Sequence, residues 1–180
     1  MTSAAALSEP RGGSAFTGDR IHCERWDGRT NLTGRRVAVV GSAAAVARVL
    51  PAVAAQAGKV TVFQHDAVWM LPRLPLAGLS AFVPARLIRC AARANLRIQV
   101  RDKWIRRQLT PETNTGIRRH DRYYQTLQHP NCRLVTWPIA TLAPLGIRTV
   151  DGIEHRVDCI IFADPSTRST DCGYPAETRE

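Results

Sequence analysis

With 180 residues, 44% of them apolar and 22% charged, the chain has material for one globular domain with a buried core, and its composition excludes a disordered or fibrous protein. No apolar run approaches the ~20 residues of a membrane-spanning helix. The five cysteines (23, 90, 132, 159 and 172) form no C-x-x-C pair, which argues against a zinc site or a disulfide framework. The opening MTSAAALSEPRGG lacks a basic start followed by an apolar block, so no secretory signal is expected and a reducing cytoplasm is the expected compartment.

Residues 1–15 are small and polar and read as a flexible tail. From Arg35, RRVAVVG is a short apolar, β-branched run ending at Gly41, as a buried parallel strand requires. SAAAVARVLPAVAAQAG then favours a helix, with Pro51 expected to kink or locally adjust it and Gly58 to stop it. KVTVFQ is a second buried strand. Strand, glycine turn, helix and strand make a βαβ unit, which places any ligand at the carboxyl ends of its strands.

Between Trp69 and about Gln108 the chain turns helical and basic, interrupted by Pro72, Pro75 and Pro84. Ten Arg and one Lys fall between Arg86 and Arg122, against Asp102, Glu112 and Asp121. Arg86, Arg89, Arg93, Arg97 and Arg101 recur at helical steps and form one stripe. Such a stripe is either a solvated face that keeps the protein soluble or a surface for an anionic partner. HDRYYQTLQ reads as a further short helix, and from Arg133 the pattern is β: CRLVTW, LGIRTV and EHRVDCIIFA. Asp151-Gly152 is a hairpin signal, because both positions tolerate positive φ. CIIFA is apolar throughout and suits a central strand.

The turn GSAAAV, Gly41 to Val46, is the first place to look for a bound nucleotide. A dinucleotide fold uses G-x-G-x-x-G for a tight turn, close approach of the pyrophosphate and close helix packing. Here Ala43 and Val46 replace the second and third glycines, so a methyl group stands where phosphate oxygens approach. Backbone N–H groups and the helix dipole at Ser42, Ala43 and Ala44 still favour an anion. On these residues alone, a nucleotide turn and a purely structural βα turn are equally supported.

FTGDRIHCERWD, with Phe16, Gly18, His22, Trp26 and Asp27, fits F-x-G-x-x-x-H-x-x-x-W-[PD]. This resembles the fingerprint of Baeyer–Villiger monooxygenases and related class B flavin monooxygenases. LSEP at 7–10, LTGRRVAVVGSAAAVARVLPAVA, VTVFQHDAVWMLPR, LTPETNTGIRRHDRYYQTLQHPNCRLV and VDGIEHRVDCIIFA resemble further family segments in the same order, over residues 6–164. The resemblance implies a Rossmann-like α/β nucleotide-binding domain with a basic helical insertion and a terminal β-meander. The expected organisation is a tail over 1–15, a fingerprint linker over 16–34, the NADP-binding domain over 35–164 with its insertion at about 69–128, and a loose tail over 165–180.

For the site, the resemblance implies that His22 is the fingerprint histidine, which couples cofactor movement to oxygenation, and that Trp26 stands near the cofactor. Arg119 takes the place of the arginine that stabilises the peroxyflavin formed on FAD, and Arg118 that of a base holding the 2′-phosphate of NADPH. Without the resemblance, that pair is two more members of a basic surface. Gly41, Ser42, Ala43, Ala44, Gln64 and His65 correspond to the nicotinamide-nucleotide cradle. No metal is implied.

Three departures weigh on function. His65, mostly neutral at pH 7, stands where the family carries an arginine for the 2′-phosphate. Ala163-Asp164-Pro165 replaces the family's closing Ala-Thr-Gly. The resembling segments include no second glycine-rich turn after a strand, so no seat for FAD is expected in these 180 residues. The expectation is therefore a truncated monooxygenase fragment, inactive alone, with NADP binding weak or lost. The alternatives are an NADPH-binding half completed by a separate FAD-binding chain, or a non-enzymatic basic module; nucleic acid is the less favoured partner. Self-association through an exposed docking face is expected, and the substrate is not encoded in these segments.

Overall fold

A computed structural model describes residues 15–23, 26, 30–64, 66–72, 84–111 and 116–164. The tail over 165–180, nearly all of that over 1–15, and both Asp27 and His65 lie outside the described residues.

The centre is a parallel sheet of five strands: β1 (Asp19–His22), β2 (Arg36–Gly41), β3 (Lys59–Gln64), β6 (Cys132–Val135) and β10 (Cys159–Phe162), in the order β1-β10-β2-β3-β6. Strand alternation sends successive side chains to opposite faces. Val37 and Val39, with Cys159 and Ile161, join one apolar core, while Ala38 and Val40, with Ile160 and Phe162, join another. Both faces are thus covered, which is why β2 and β10 read as continuous apolar runs. Ile160 and Ile161 are fully buried, and each contributes about 1.5–3 kcal/mol.

On the first face lie helix α1 (Ala43–Gln56) and the segment that links β3 to β6. That segment holds β4 (Trp69–Leu71), α2 (Ala85–Gln99), α3 (Lys103–Gln108), β5 (Ile117–Arg119) and α4 (Tyr123–Leu127), with β4 and β5 forming a separate parallel pair. α2 buries Ala92 and Leu96 and is fixed to β4 by the Asn95 side chain, which donates to the Met70 carbonyl at 3.1 Å. Its arginine stripe points away from this contact: Arg86, Arg89, Arg93 and Arg97 are all exposed.

The second face is covered by an antiparallel meander, β7 (Ile139–Ala143), β8 (Gly146–Thr149) and β9 (Glu154–Arg156). Leu142 and Ile147 pack from it onto Ala38, Val40 and Phe162.

Several details differ from the sequence expectation. The meander is not terminal: EHRVDCIIFA divides into β9 and β10, and β10 returns to the middle of the parallel sheet, between β1 and β2. The division falls at Val157-Asp158, where the Asp158 carboxylate takes the Arg36 backbone N–H at 2.8 Å and its guanidinium at 2.5 Å. The stretch read as a linker supplies β1, paired parallel to β10 with His22 opposite Phe162. At the β8–β9 turn only Gly152 has positive φ (81°), as in a hairpin with one extra loop residue, and Asp151 instead receives hydrogen bonds from Thr149 and Ile153.

Candidate functional site

The parallel register brings the chemistry-bearing residues to one edge. Gly41 lies opposite Gln64, and Val40 opposite Phe162, which pairs in turn with His22. These are the carboxyl ends of the strands, the edge where open α/β sheets bind ligands. α1 begins there, so its first N–H groups and the positive end of its dipole face the same edge.

Two of the donors at this turn, the N–H groups of Ser42 and Ala43, are engaged by the chain's own carboxylates. Ser42 donates its backbone N–H to Asp164 Oδ2 at 2.8 Å and its hydroxyl to Asp164 Oδ1 at 2.6 Å. The Ala43 N–H donates to Asp66 Oδ1 at 2.7 Å. Ala45 and Val46 then bond back to the Ser42 carbonyl, closing the first turn. Ala43 is 1% exposed and Val46 fully buried, so neither surface is offered to a ligand. A side chain at Gly41 would meet Asp164 Oδ2 at 3.0 Å, so the carboxylate lies directly over the turn. A pyrophosphate needs the same N–H groups, and it would face two negative groups held there by hydrogen bonds. The residues present do not fit a dinucleotide phosphate in this arrangement.

Gln64 is also turned inward. It is 3% exposed, accepts the Tyr123 hydroxyl and donates to the Asp66 carbonyl at 2.5 Å. Tyr124 accepts the Met70 N–H at 3.1 Å. Burial pushes both phenols up, strongly so for Tyr123. The tyrosine pair therefore braces the segment that carries Asp66.

The fingerprint residues are accounted for by packing. Phe16 is buried in the core between sheet and meander. Gly18 is required by close approach, since an added Cβ would lie 2.4 Å from the Asp158 carbonyl oxygen. His22, half-buried, stacks on Phe162 with ring centroids 5.1 Å apart and planes 24° apart. Trp26 is buried in the helix-side core, and its indole N–H has no hydrogen-bond partner among the described residues.

Arg118 and Arg119 lie on β5, paired with Met70 and Leu71 in the two-stranded sheet, and both are exposed. No hydrogen bond or ion pair ties either one to the Gly41–Ala44 turn among the described residues. Asp66 and Tyr123 complete the constellation and were not legible as site residues. A carboxylate two positions after a strand that faces a βα turn is the signal that marks Asp66. Among the described residues, no group of three or more His, Cys, Asp or Glu side chains is placed to hold a metal, and no helix is long and apolar enough to cross a membrane.

This sheet, with helices on one face, a meander on the other and a glycine turn at the strand ends, defines an α/β domain of the Rossmann type. No protein-family model matches the chain. An uncharacterized monooxygenase of Mycobacterium tuberculosis is 32% identical over 184 aligned positions, covering 82% of this chain and 37% of that protein. A Baeyer–Villiger monooxygenase of Streptomyces coelicolor is 25% identical, covering 87% of this chain and 38% of that protein. Among solved structures, an oxidized steroid monooxygenase bound to NADP superposes with a TM-score of 0.71 at 23% identity, over 89% of this chain and 44% of that one. Its sequence relatives are thus Baeyer–Villiger and other monooxygenases, one of them named an FAD-binding monooxygenase, and the chain aligns with part of their length. It spans just over a third of the curated relatives it matches.

Proposed function

We propose that these 180 residues are the counterpart of the NADPH-binding portion of a Baeyer–Villiger-type monooxygenase, that they do not catalyse oxygenation by themselves, and that they bind nicotinamide nucleotide weakly or not at all. The observation that carries this reading is the engagement of the Ser42 and Ala43 N–H groups by Asp164 and Asp66. At ~4 Å and an effective dielectric near 20, one carboxylate–phosphate charge pair costs about 4 kcal/mol, equivalent to about a thousandfold in affinity. Two such groups outweigh the few tenths to ~1 kcal/mol that a helix N-terminus offers an anion.

The family's flavin chemistry depends on FAD as well as on the nicotinamide donor, and no residue of this chain is assigned to FAD in this reading. His22 and Arg119 keep the positions of the family residues, but their surroundings support the fold: one stacks within the sheet edge and the other stands on an exposed strand.

Calorimetric titration of the purified chain with NADPH and, separately, NADH tests the reading. Neither is expected to give a saturable signal at concentrations where intact family enzymes are saturated. Micromolar NADPH binding with marked preference over NADH would overturn it.

A further inference from the structure

A cluster of basic side chains lies away from the βα turn. A groove of about 380 Å³ opens between α2 and α3. Arg93 and Arg97, one turn apart on α2, form one wall, and Lys103, Arg106 and Arg107 of α3 form the other. Its floor includes Leu96, 1% exposed.

Among the described residues, surface arginines with acidic partners include Arg35, which pairs with Asp19, Arg36 with Asp158 and Arg148 with Glu154. Among the described residues, Arg93, Arg97, Lys103 and Arg107 have none, and no carboxylate lines the groove. The acid that precedes α3, Asp102, is used as its cap, accepting the N–H groups of Trp104 at 2.7 Å and Ile105 at 3.1 Å. The Arg106 guanidinium is aimed by the carbonyls of Val100 (3.2 Å) and Arg101 (3.1 Å), which leaves its remaining N–H groups for a further acceptor. Five cations around one groove attract an anion, whose binding offsets their mutual repulsion.

We propose that this groove binds a short phosphate chain, such as a free polyphosphate or the chain of a nucleoside triphosphate. Guanidinium groups make two-pronged contacts to phosphate oxygens, and a lysine adds a point charge. The groove favours a compact ligand over a nucleic-acid backbone. A backbone would run along the whole arginine stripe, about 22 Å of helix, and engage Arg86 and Arg101, which lie outside the groove.

The test is calorimetric titration of the full chain with sodium tripolyphosphate, ATP and a single-stranded oligonucleotide at one fixed ionic strength. Tripolyphosphate is expected to bind at one site. R97E and R107E are expected to weaken it at least about tenfold each, as for the loss of a charge-assisted hydrogen bond. R97K and R107K, which keep the charge but lose the two-pronged contact, are expected to weaken binding less than R97E and R107E do. R86E makes the same change in net charge outside the groove and is expected to alter affinity less than about twofold. ATP binding tighter than tripolyphosphate assigns the groove to nucleotides, and equal affinity assigns it to the phosphate chain alone. All substituted side chains are exposed, and circular dichroism confirms that each variant is folded. No binding of tripolyphosphate, an R86E effect as large as that of R97E, or an oligonucleotide that displaces tripolyphosphate through Arg86 would each overturn the proposal.

Discussion

Asp164 Oδ2 accepts the backbone N–H of Ser42 at 2.8 Å, and Oδ1 of the same carboxylate accepts the Ser42 hydroxyl at 2.6 Å. The start of α1 is thereby partly satisfied from within the chain. A helix N-terminus prefers a negative group, and here β10 and the segment after β3 both deliver one to it. The same contacts that stabilise the helix compete with an anionic ligand for these N–H groups.

Neutralising those carboxylates is expected to reopen the seat. D66N/D164N keeps hydrogen-bond acceptors and removes two charges, so NADPH affinity is expected to rise at least about tenfold with little change in Tm. D66S/D164G removes the Asp164 cap altogether and is expected to lose about 0.5–2 kcal/mol of stability. Calorimetry and thermal melts read the two effects separately. Unchanged affinity in D66N/D164N would show that the carboxylates are not what keeps the nucleotide out.

The fingerprint stretch is expected to divide under mutation into a residue the fold cannot spare and one it can. Gly18→Ala places a methyl 2.4 Å from the Asp158 carbonyl oxygen and against the Phe16 ring, so β1 must move away from β10. The expected cost is about 1–3 kcal/mol, or more if β1 detaches. His22→Ala removes a half-buried ring stacked on Phe162 and is expected to cost only about 0.5–1.5 kcal/mol. Urea denaturation of the two variants checks the order, and a His22→Ala loss above that of Gly18→Ala contradicts it.

How much of this was legible before the structure depends on whether a signal was local. β2, α1 and β3 stood out because both sheet faces are buried and the strands are uniformly apolar between a glycine turn and a helix-forming run. CIIFA was placed correctly at the centre of the sheet for the same reason. The jump of β10 from the meander to a position beside β2 was not legible, because no local pattern says with which strand an apolar run will pair. β1 was hidden as well: DRIH has only Ile21 and His22 partly buried, and its strand state comes from pairing with β10. At the site, Ala43 and Val46 were visible as departures from a glycine pattern, and Asp164 as a charge where a small residue was expected. That Asp164 and Asp66 cap adjacent N–H groups is a tertiary fact, joining positions 122 and 23 residues apart in sequence.

The tyrosine pair provides a test of how the Asp66 segment is held. Tyr123→Phe removes the donor to Gln64 Oε1, leaving an acceptor without its partner at a residue 3% exposed, at an expected cost of about 1–3 kcal/mol. Because Gln64 also holds the Asp66 carbonyl, the variant is expected to loosen the turn and speed amide exchange at Ala43. Tyr124→Phe instead frees the Met70 N–H and is expected to leave exchange at Ala43 unchanged. Hydrogen exchange distinguishes them, and equal effects at Ala43 would sever the proposed link from Tyr123 through Gln64 to Asp66.

Acid stability is expected to report on the junction where β9 gives way to β10. Asp158 is drawn down to about 2 from an ordinary 3.8, first by the hydrogen bonds from the Arg36 guanidinium and then by the Arg36 backbone N–H. A carboxyl whose value is lower in the folded than in the unfolded protein stabilises the fold fully above its unfolded value. That contribution fades as pH falls through the folded value. The stabilisation from Asp158 is therefore complete above about pH 4–5 and lost progressively toward pH 2. Asp158→Asn is expected to lower Tm at pH 7, with its difference from the unmodified chain narrowing below pH 4 and nearly closing by pH 2. Comparing the two proteins at each pH cancels the acid sensitivity of the other carboxylates. The carboxylate is partly exposed, so the gap at pH 7 is expected to be a modest one. A gap that stays constant from pH 7 to pH 2 would mean that Asp158 acts through its neutral hydrogen bonds alone and not through its charge.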